Sequence, residues 1–191
     1  MADITLDIKA LIFAVLGGII PSLVWLWFWL QEDRKSQEPK GLLFITFCAG
    51  MAVVYLVLPL QKFIMFAFPA VSQTVQVILL ATIEEVAKYA VVFFITFKSR
   101  YFDEPIDAVI YLVTAALGFA AMENILYALK DIVNGGSMLA LLDGSSRFIG
   151  ATILHTISSA IIGIAIAFSF WSGRITKFLA VILSLTAASL L

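Results

Sequence analysis

Five stretches of about 20 mostly apolar residues dominate this sequence. The hydrocarbon core of a bilayer is about 30 Å thick and an α-helix rises about 1.5 Å per residue, so these stretches have the length of spanning helices. A backbone inside lipid must satisfy its hydrogen bonds internally, which restricts spanning structures to helices and closed barrels. The sequence therefore predicts an all-α fold, a polytopic transmembrane helix bundle.

The predicted full spans lie at about 10–30, 41–60, 73–97, 107–129 and 148–171. A last apolar run, 178–191, corresponds to roughly 21 Å of helix and predicts a partial sixth span. Between the second and third spans, Gln61 and Lys62 are interpreted as a polar connection, and the segment FIMFAF (63–68) as an interfacial piece too short to span. No linker or repeat divides the chain, so we expect residues 1–191 to form a single transmembrane helical domain.

The composition agrees with a membrane protein and excludes one class of partner. Hydrophobic residues make up 62% of the chain and charged residues 13%, whereas a soluble domain is about half apolar and about a quarter charged. With a net charge of −1 and no basic stripe, the chain has no feature of a nucleic-acid-binding protein. The partner that the composition predicts is membrane lipid, and the sequence does not indicate an oligomeric state.

Five ionisable residues interrupt the predicted spans: Glu84, Glu85, Lys88, Glu123 and His155. Each charge at the centre of a spanning helix costs about 2.5–3.5 kcal/mol on insertion scales. Such groups persist where they pair with one another, line a wet cavity or carry out chemistry. They are therefore the first candidates for a functional site.

These residues are predicted to lie at a similar depth in the membrane. Measured along the helices from the same side of the bundle, Glu84 and Glu85 lie about 18–20 Å deep, and Glu123 and His155 about 24 Å deep. At about 100° per residue, Lys88 projects between the two adjacent glutamates, one turn away. Lys88 can therefore neutralise one of them, and the other must be protonated, bind a cation or face another helix.

Small residues accompany the charged ones on the fourth and fifth predicted helices. The stretch TAALGFAAMEN (114–124) is rich in alanine and glycine, and Gly163 continues the face that carries His155. Small residues let helix backbones approach closely, so we expect these two helices to pack tightly. The hydroxyl residues of the fifth helix are interpreted mainly as packing and backbone hydrogen-bonding groups.

Several intramembrane chemistries are excluded because their motifs are absent. The sequence contains no H-E-x-x-H, G-x-S-x-G, G-x-G-D or E-x-x-H motif. Glutamates with one histidine can still hydrolyse an amide in two ways. A desolvated carboxylate can take a proton from water while histidine or asparagine stabilises the oxyanion, or the same groups can hold a zinc ion whose bound water attacks.

Three segments resemble the conserved blocks of a known family. EEVAK (84–88), FAAMENILY (119–127) and HTISSAIIG (155–163) resemble the E-E-x-x-K, F-x-x-x-E-N and H-x-x-x-x-x-x-x-G blocks of the PrsW family. These are bacterial intramembrane proteases, related more distantly to CAAX-protease and bacteriocin-processing membrane proteins. The resemblance covers about residues 80–165.

The resemblance implies a peptidase of the bacterial cytoplasmic membrane that cleaves a membrane-anchored protein, typically an anti-sigma factor. It implies catalytic carboxylates at Glu84 and Glu85 and further site residues at Glu123 and His155. Lys88 and Asn124 would support them. If the cofactor is a divalent metal such as zinc, its candidate ligands are the same four residues: Glu84, Glu85, Glu123 and His155.

The sequence departs from the family pattern at one point. These proteins usually carry a further histidine in the helix after the fifth, whereas here the chain reaches Leu191 without one. We therefore expect either a truncated sixth helix or a site that lacks this residue.

Two other functions fit the buried charges. Intramembrane glutamate and histidine residues also form proton relays, so a proton- or cation-coupled transporter is one alternative. A transporter would show inverted repeats and broken helices in matching positions, and the sequence shows no such symmetry. The other alternative is a non-catalytic membrane protein that keeps the fold and binds partners.

Overall fold

The computed structural model describes residues 8–31, 37–134 and 145–191, and these residues form helices without any strand. The helices follow one another in the order α1 (Ile8–Leu30), α2 (Lys40–Ala67), α3 (Gln73–Ile95), α4 (Pro105–Val133), α5 (Ser145–Phe168) and α6 (Arg174–Ala188). The predicted all-α helix bundle is confirmed.

Among the described residues, α1, α2, α4 and α5 are long and apolar enough to cross a membrane. At 23 residues, or about 34 Å, α3 has the length expected of the predicted third span, but it carries three charged residues at its centre. With 15 residues, α6 is shorter than a spanning helix. Large apolar side chains face outwards, such as Phe66 (83% exposed) and Phe168 (89% exposed). The protein is a multi-pass membrane protein whose outer surface is suited to lipid.

The second helix is longer than the sequence predicted. It runs for 28 residues to Ala67, so residues 63–67 are its last turns and not a separate interfacial segment. Gln61, interpreted as part of a connection, lies inside the helix as well. Pro59 removes one backbone hydrogen bond, but the helix continues because the other bonds and the apolar residues beyond it remain. That part of the prediction was wrong.

The fourth helix forms the core of the bundle. Pro105 occupies its first turn, and the Asp107 carboxylate accepts a hydrogen bond from the Glu104 backbone nitrogen at 2.7 Å, which caps the helix. Residues 107–121 are all buried. They are enclosed mainly by α1, α2 and α5, which pack against α4 along its length. Any residue of α4 that faces a neighbouring helix is therefore held in a fixed position.

Glycines allow the neighbours of α4 to come close. A methyl group at Gly118 would overlap the backbone carbonyl oxygen of Phe47 in α2. On the other side, a methyl group at Gly163 of α5 would lie 2.6 Å from the Val109 Cα atom. The small faces predicted on the fourth and fifth helices do pack closely, and this brings the polar residues of α4 and α5 within reach of α3.

Candidate active site

Charged side chains from three helices meet in one hydrogen-bonded chain. Lys88 of α3 donates through Nζ to Glu85 Oε1 at 2.5 Å and lies 3.0 Å from Nδ1 of His155 in α5. On the other side of the ring, His155 Nε2 lies 2.9 Å from Glu123 Oε2 in α4. Four of the residues singled out by the sequence are thus brought into contact at one level of the bundle.

The chain of contacts determines the tautomer of the imidazole. A lysine ammonium group has donors and no acceptor, so His155 Nδ1 must accept from Lys88. A neutral imidazole then carries its proton on Nε2, which donates to the Glu123 carboxylate. His155 is therefore held from both sides, with its N–H directed towards α4.

Glu85 is the glutamate that Lys88 neutralises. Lys88 is fully buried and Glu85 is 4% exposed, so each charge needs the other. The Ser158 hydroxyl donates to Oε1 at 2.7 Å and the Ser159 hydroxyl to Oε2 at 3.0 Å. Both carboxylate oxygens are thus engaged. These two hydroxyls therefore belong to the site, whereas Thr156 on the same helix bonds a backbone carbonyl oxygen, as expected for most of its hydroxyls.

Glu84 has different surroundings, although it is the next residue along the chain. Consecutive residues project about 100° apart around a helix, and Glu84 is only half-buried. Its Oε1 accepts a hydrogen bond from Nε2 of Gln61 in α2 at 2.7 Å. Glu84 precedes Lys88 by four residues, one helical turn, so it lies beside the cluster. The two adjacent glutamates therefore differ: Glu85 is enclosed by donors, and Glu84 borders the open side of the cluster.

Two further residues of α4 support the cluster. The Phe119 ring meets His155 edge to face with 5.3 Å between ring centroids, and Lys88 Nζ lies 5.1 Å from the Phe119 centroid. This ring offers its π face to the lysine and fills the space beside the imidazole. Asn124 donates through Nδ2 to Thr152 Oγ1 at 3.2 Å, which links α4 to α5 one residue from Glu123.

Glu84, Glu85, Glu123 and His155 are the candidate ligands of a metal ion. Within residues 8–31, 37–134 and 145–191, no three His, Cys, Asp or Glu side chains are grouped so that they could hold an ion. His155 has no lone pair to offer, because Nδ1 accepts from Lys88 and Nε2 carries the proton. As arranged here, these residues do not fit a zinc ion.

A family model described as PrsW family intramembrane metalloprotease matches residues 38–191. The chain belongs to this family. The resemblance of the three sequence blocks is thereby confirmed, and all three lie within the matched residues. The family description names a metal, whereas His155 in this arrangement is occupied by protein contacts on both nitrogens.

Relatives named Protease PrsW align with most of the chain. The protein of Geobacillus kaustophilus is 30% identical over 139 residues, which is 72% of this chain and 62% of the relative. The protein of Clostridioides difficile is 28% identical over 165 residues, 84% of this chain and 67% of the relative. The protein of Bacillus subtilis is 26% identical over 145 residues, 74% of this chain and 66% of the relative.

The alignment covers 62% of the length of the first of these relatives and 65% of another, the Protease PrsW of Halalkalibacterium halodurans. No solved structure shows significant similarity to the chain.

Proposed function

We propose that this protein is an intramembrane peptidase that hydrolyses a peptide bond in a membrane-anchored protein. The proposal rests on one observation above all: a half-buried glutamate, Glu84, borders the hydrogen-bonded side chains of Lys88, His155 and Glu123 inside a helix bundle of the PrsW family. A carboxylate beside a fixed N–H donor is the minimum that acid–base hydrolysis of an amide requires.

Glu84 is the proposed general base. A base must have a lone pair free to take a proton from water, and Glu85 has both oxygens engaged by Lys88, Ser158 and Ser159. Glu84 accepts from Gln61 through Oε1, which leaves Oε2 to face a water molecule. Glu85 instead pairs with Lys88 and holds it in place.

In the proposed reaction, Glu84 takes one proton from water as the water oxygen attacks the scissile carbonyl carbon. The carbonyl oxygen becomes an oxyanion, and it replaces Glu123 as the acceptor of the His155 Nε2–H. When the C–N bond breaks, Glu84 gives its proton to the leaving nitrogen. Glu123 holds the imidazole in the donating tautomer until the substrate arrives, and Lys88 fixes the other nitrogen.

A groove on the surface supports a substrate that lies within the membrane. It has a volume of about 330 Å³ between α2 and α3 and is lined by apolar residues among 53–60 and 83–90 and by Thr82. Ile83 in its wall is the chain neighbour of Glu84, and Leu60 is the neighbour of Gln61. An apolar segment of a substrate in this groove would pass beside the proposed base.

The substrate class follows from the family resemblance: a membrane-anchored protein such as an anti-sigma factor, in the bacterial cytoplasmic membrane. Family membership favours this function over the transporter and over a non-catalytic binding protein. Uptake that depends on a pH gradient, without cleavage of any substrate, would instead support the transporter.

Cleavage of a single-pass anti-sigma factor in proteoliposomes tests the proposal. The parent protein should cleave it, and Glu84→Gln and His155→Ala should each reduce the rate by a factor of about 100 or more. Asp131→Asn is the matched control, since it removes an exposed carboxylate at the far end of α4. Parent-like cleavage by both site variants would refute the assignment.

A further inference from the structure

Gln61 is a half-buried polar side chain near the C-terminal end of α2, next to the exposed Lys62. Its amide crosses to α3, where Nε2 donates to Glu84 Oε1 at 2.7 Å. A half-buried amide is costly unless it finds a hydrogen-bond partner, and Gln61 finds that partner in the Glu84 carboxylate. The sequence pattern gave no reason to connect the two residues, because Gln61 was interpreted as part of a loop.

The position of Gln61 is fixed by apolar packing one turn away. Val57 and Val54 of α2 form a buried cluster with Phe119 of α4, and Ile83 of α3 packs against the same cluster. The helix segment that carries Gln61 is therefore held against both α3 and α4. A donor on such a rigid segment has a defined direction, whereas a carboxylate on its own rotates about a broad terminal torsion.

We propose that Gln61 is a positioning residue that orients the Glu84 carboxylate for water activation. By holding Oε1, the amide turns Oε2 towards the site where water and the scissile carbonyl meet. This inference rests on the proposed function, because it assigns Gln61 a role in the same reaction. Gln61 itself contacts neither water nor substrate in this scheme and acts through Glu84.

The same contact also has a purely structural interpretation, in which the hydrogen bond only ties α2 to α3. The two roles predict different behaviour. A purely structural hydrogen bond between α2 and α3 affects the stability of the protein and leaves the turnover of the folded protein unchanged. A positioning residue changes kcat in folded protein, leaves KM nearly constant, and loses its effect when Glu84 is replaced.

The test compares Gln61→Met, which keeps the length and bulk of the side chain without its donor, with Gln61→His, which retains an N–H donor. Lys62→Leu is the control, since this neighbouring side chain is exposed on the same helix. Full-length variants are reconstituted with the single-pass substrate, and kcat and KM are measured after thermal unfolding has verified that each is folded. Infrared spectra identify the Glu84 carboxyl band as the one lost in Glu84→Gln.

We expect Gln61→Met to lower kcat by about 10- to 100-fold, the equivalent of one hydrogen bond to a charged group, with little change in KM. Gln61→His should recover part of that loss, and Lys62→Leu should match the parent. The Glu84 band should shift in Gln61→Met and stay in place in Lys62→Leu.

Two results would overturn the inference: an unshifted Glu84 band in Gln61→Met, or a shifted band with parent-like kcat. If the parent cleaves no substrate, the proposed function fails. The infrared comparison still decides in that case whether Gln61 orients Glu84.

Discussion

Lys88 Nζ lies 3.0 Å from His155 Nδ1, and this contact joins α3 to α5 through two buried polar side chains. Because the ammonium group can only donate, it makes Nδ1 an acceptor and leaves the imidazole proton on Nε2. The proton then points at Glu123, 2.9 Å away. The orientation of the histidine is therefore set by a lysine one turn from the two adjacent glutamates.

The first prediction concerns this tautomer. The chain has a single histidine, so protein labelled with ¹⁵N-histidine gives one imidazole signal pair without any assignment step. We expect solid-state NMR of the reconstituted protein to report a protonated Nε2 and an unprotonated Nδ1. In Lys88→Met this preference should weaken, because Nδ1 loses its donor. A proton on Nδ1 in the parent would contradict the contact.

The second prediction follows from competition between Lys88 and a metal ion for the same nitrogen. Lys88→Met frees His155 Nδ1 and removes a positive charge next to Glu85. Both changes favour a cation, so we expect the variant to bind more zinc than the parent when both are equilibrated with the same free zinc concentration.

Elemental analysis measures the bound metal, and the double variant Lys88→Met/His155→Ala is the control that should lose the gain. If the parent already retains one equivalent of zinc that His155→Ala abolishes, the arrangement of Lys88 and His155 described here is not the one that binds metal.

The convergence of α3, α4 and α5 on one polar cluster could be predicted because charge in lipid is expensive. Only a few ionisable residues lie within the predicted spans. Each of them needs a partner at the same depth in the membrane, and this applies to Glu85, Lys88, Glu123 and His155. Helical phase also placed Lys88 beside a glutamate. These arguments need only helix geometry and the cost of burying charge, both of which can be read from a sequence.

Which partner each residue takes could not be predicted. Glu84 and Glu85 project about 100° apart on α3, and the sequence alone does not say which of them faces α5. The rotation of α3 about its axis decides this, and in the structure it directs Glu85 at Ser158 and Ser159. Gln61 was missed because α2 was expected to end soon after Pro59. A proline often marks a helix end. In an apolar segment, however, ending the helix would leave further backbone groups without hydrogen bonds, which costs more free energy than the single bond that the proline removes.

The third prediction is that replacing each of the two adjacent glutamates by glutamine has different effects on stability. Glu85→Gln leaves the fully buried Lys88 without its counter-charge, and breaking such a pair costs about 3–5 kcal/mol. Glu84→Gln replaces a half-buried group whose partner is an amide, so its stability should stay much closer to that of the parent. Thermal unfolding in one detergent compares the two variants directly.

The same two variants, Glu84→Gln and Glu85→Gln, should rank in the opposite order when turnover is measured instead of stability. Under the proposed function, Glu84→Gln remains folded and loses turnover, whereas Glu85→Gln loses stability first and retains some turnover wherever it is still folded. If Glu84→Gln were the less stable and the more active of the two, the roles of the glutamates would have to be exchanged.

The fourth prediction concerns the close packing that supports the site. In Gly118→Ala the new methyl group meets the Phe47 carbonyl oxygen, so α2 must move away from α4. Overpacking of this kind costs about 1–3 kcal/mol, more than the gain of about 1 kcal/mol that alanine brings to a helix.

Gly41→Ala is the matched control, because an added methyl group there meets no atom within 4 Å. Thermal unfolding should show a loss for Gly118→Ala and none for Gly41→Ala. Equal stability of the two variants would mean that α2 and α4 are farther apart than described here.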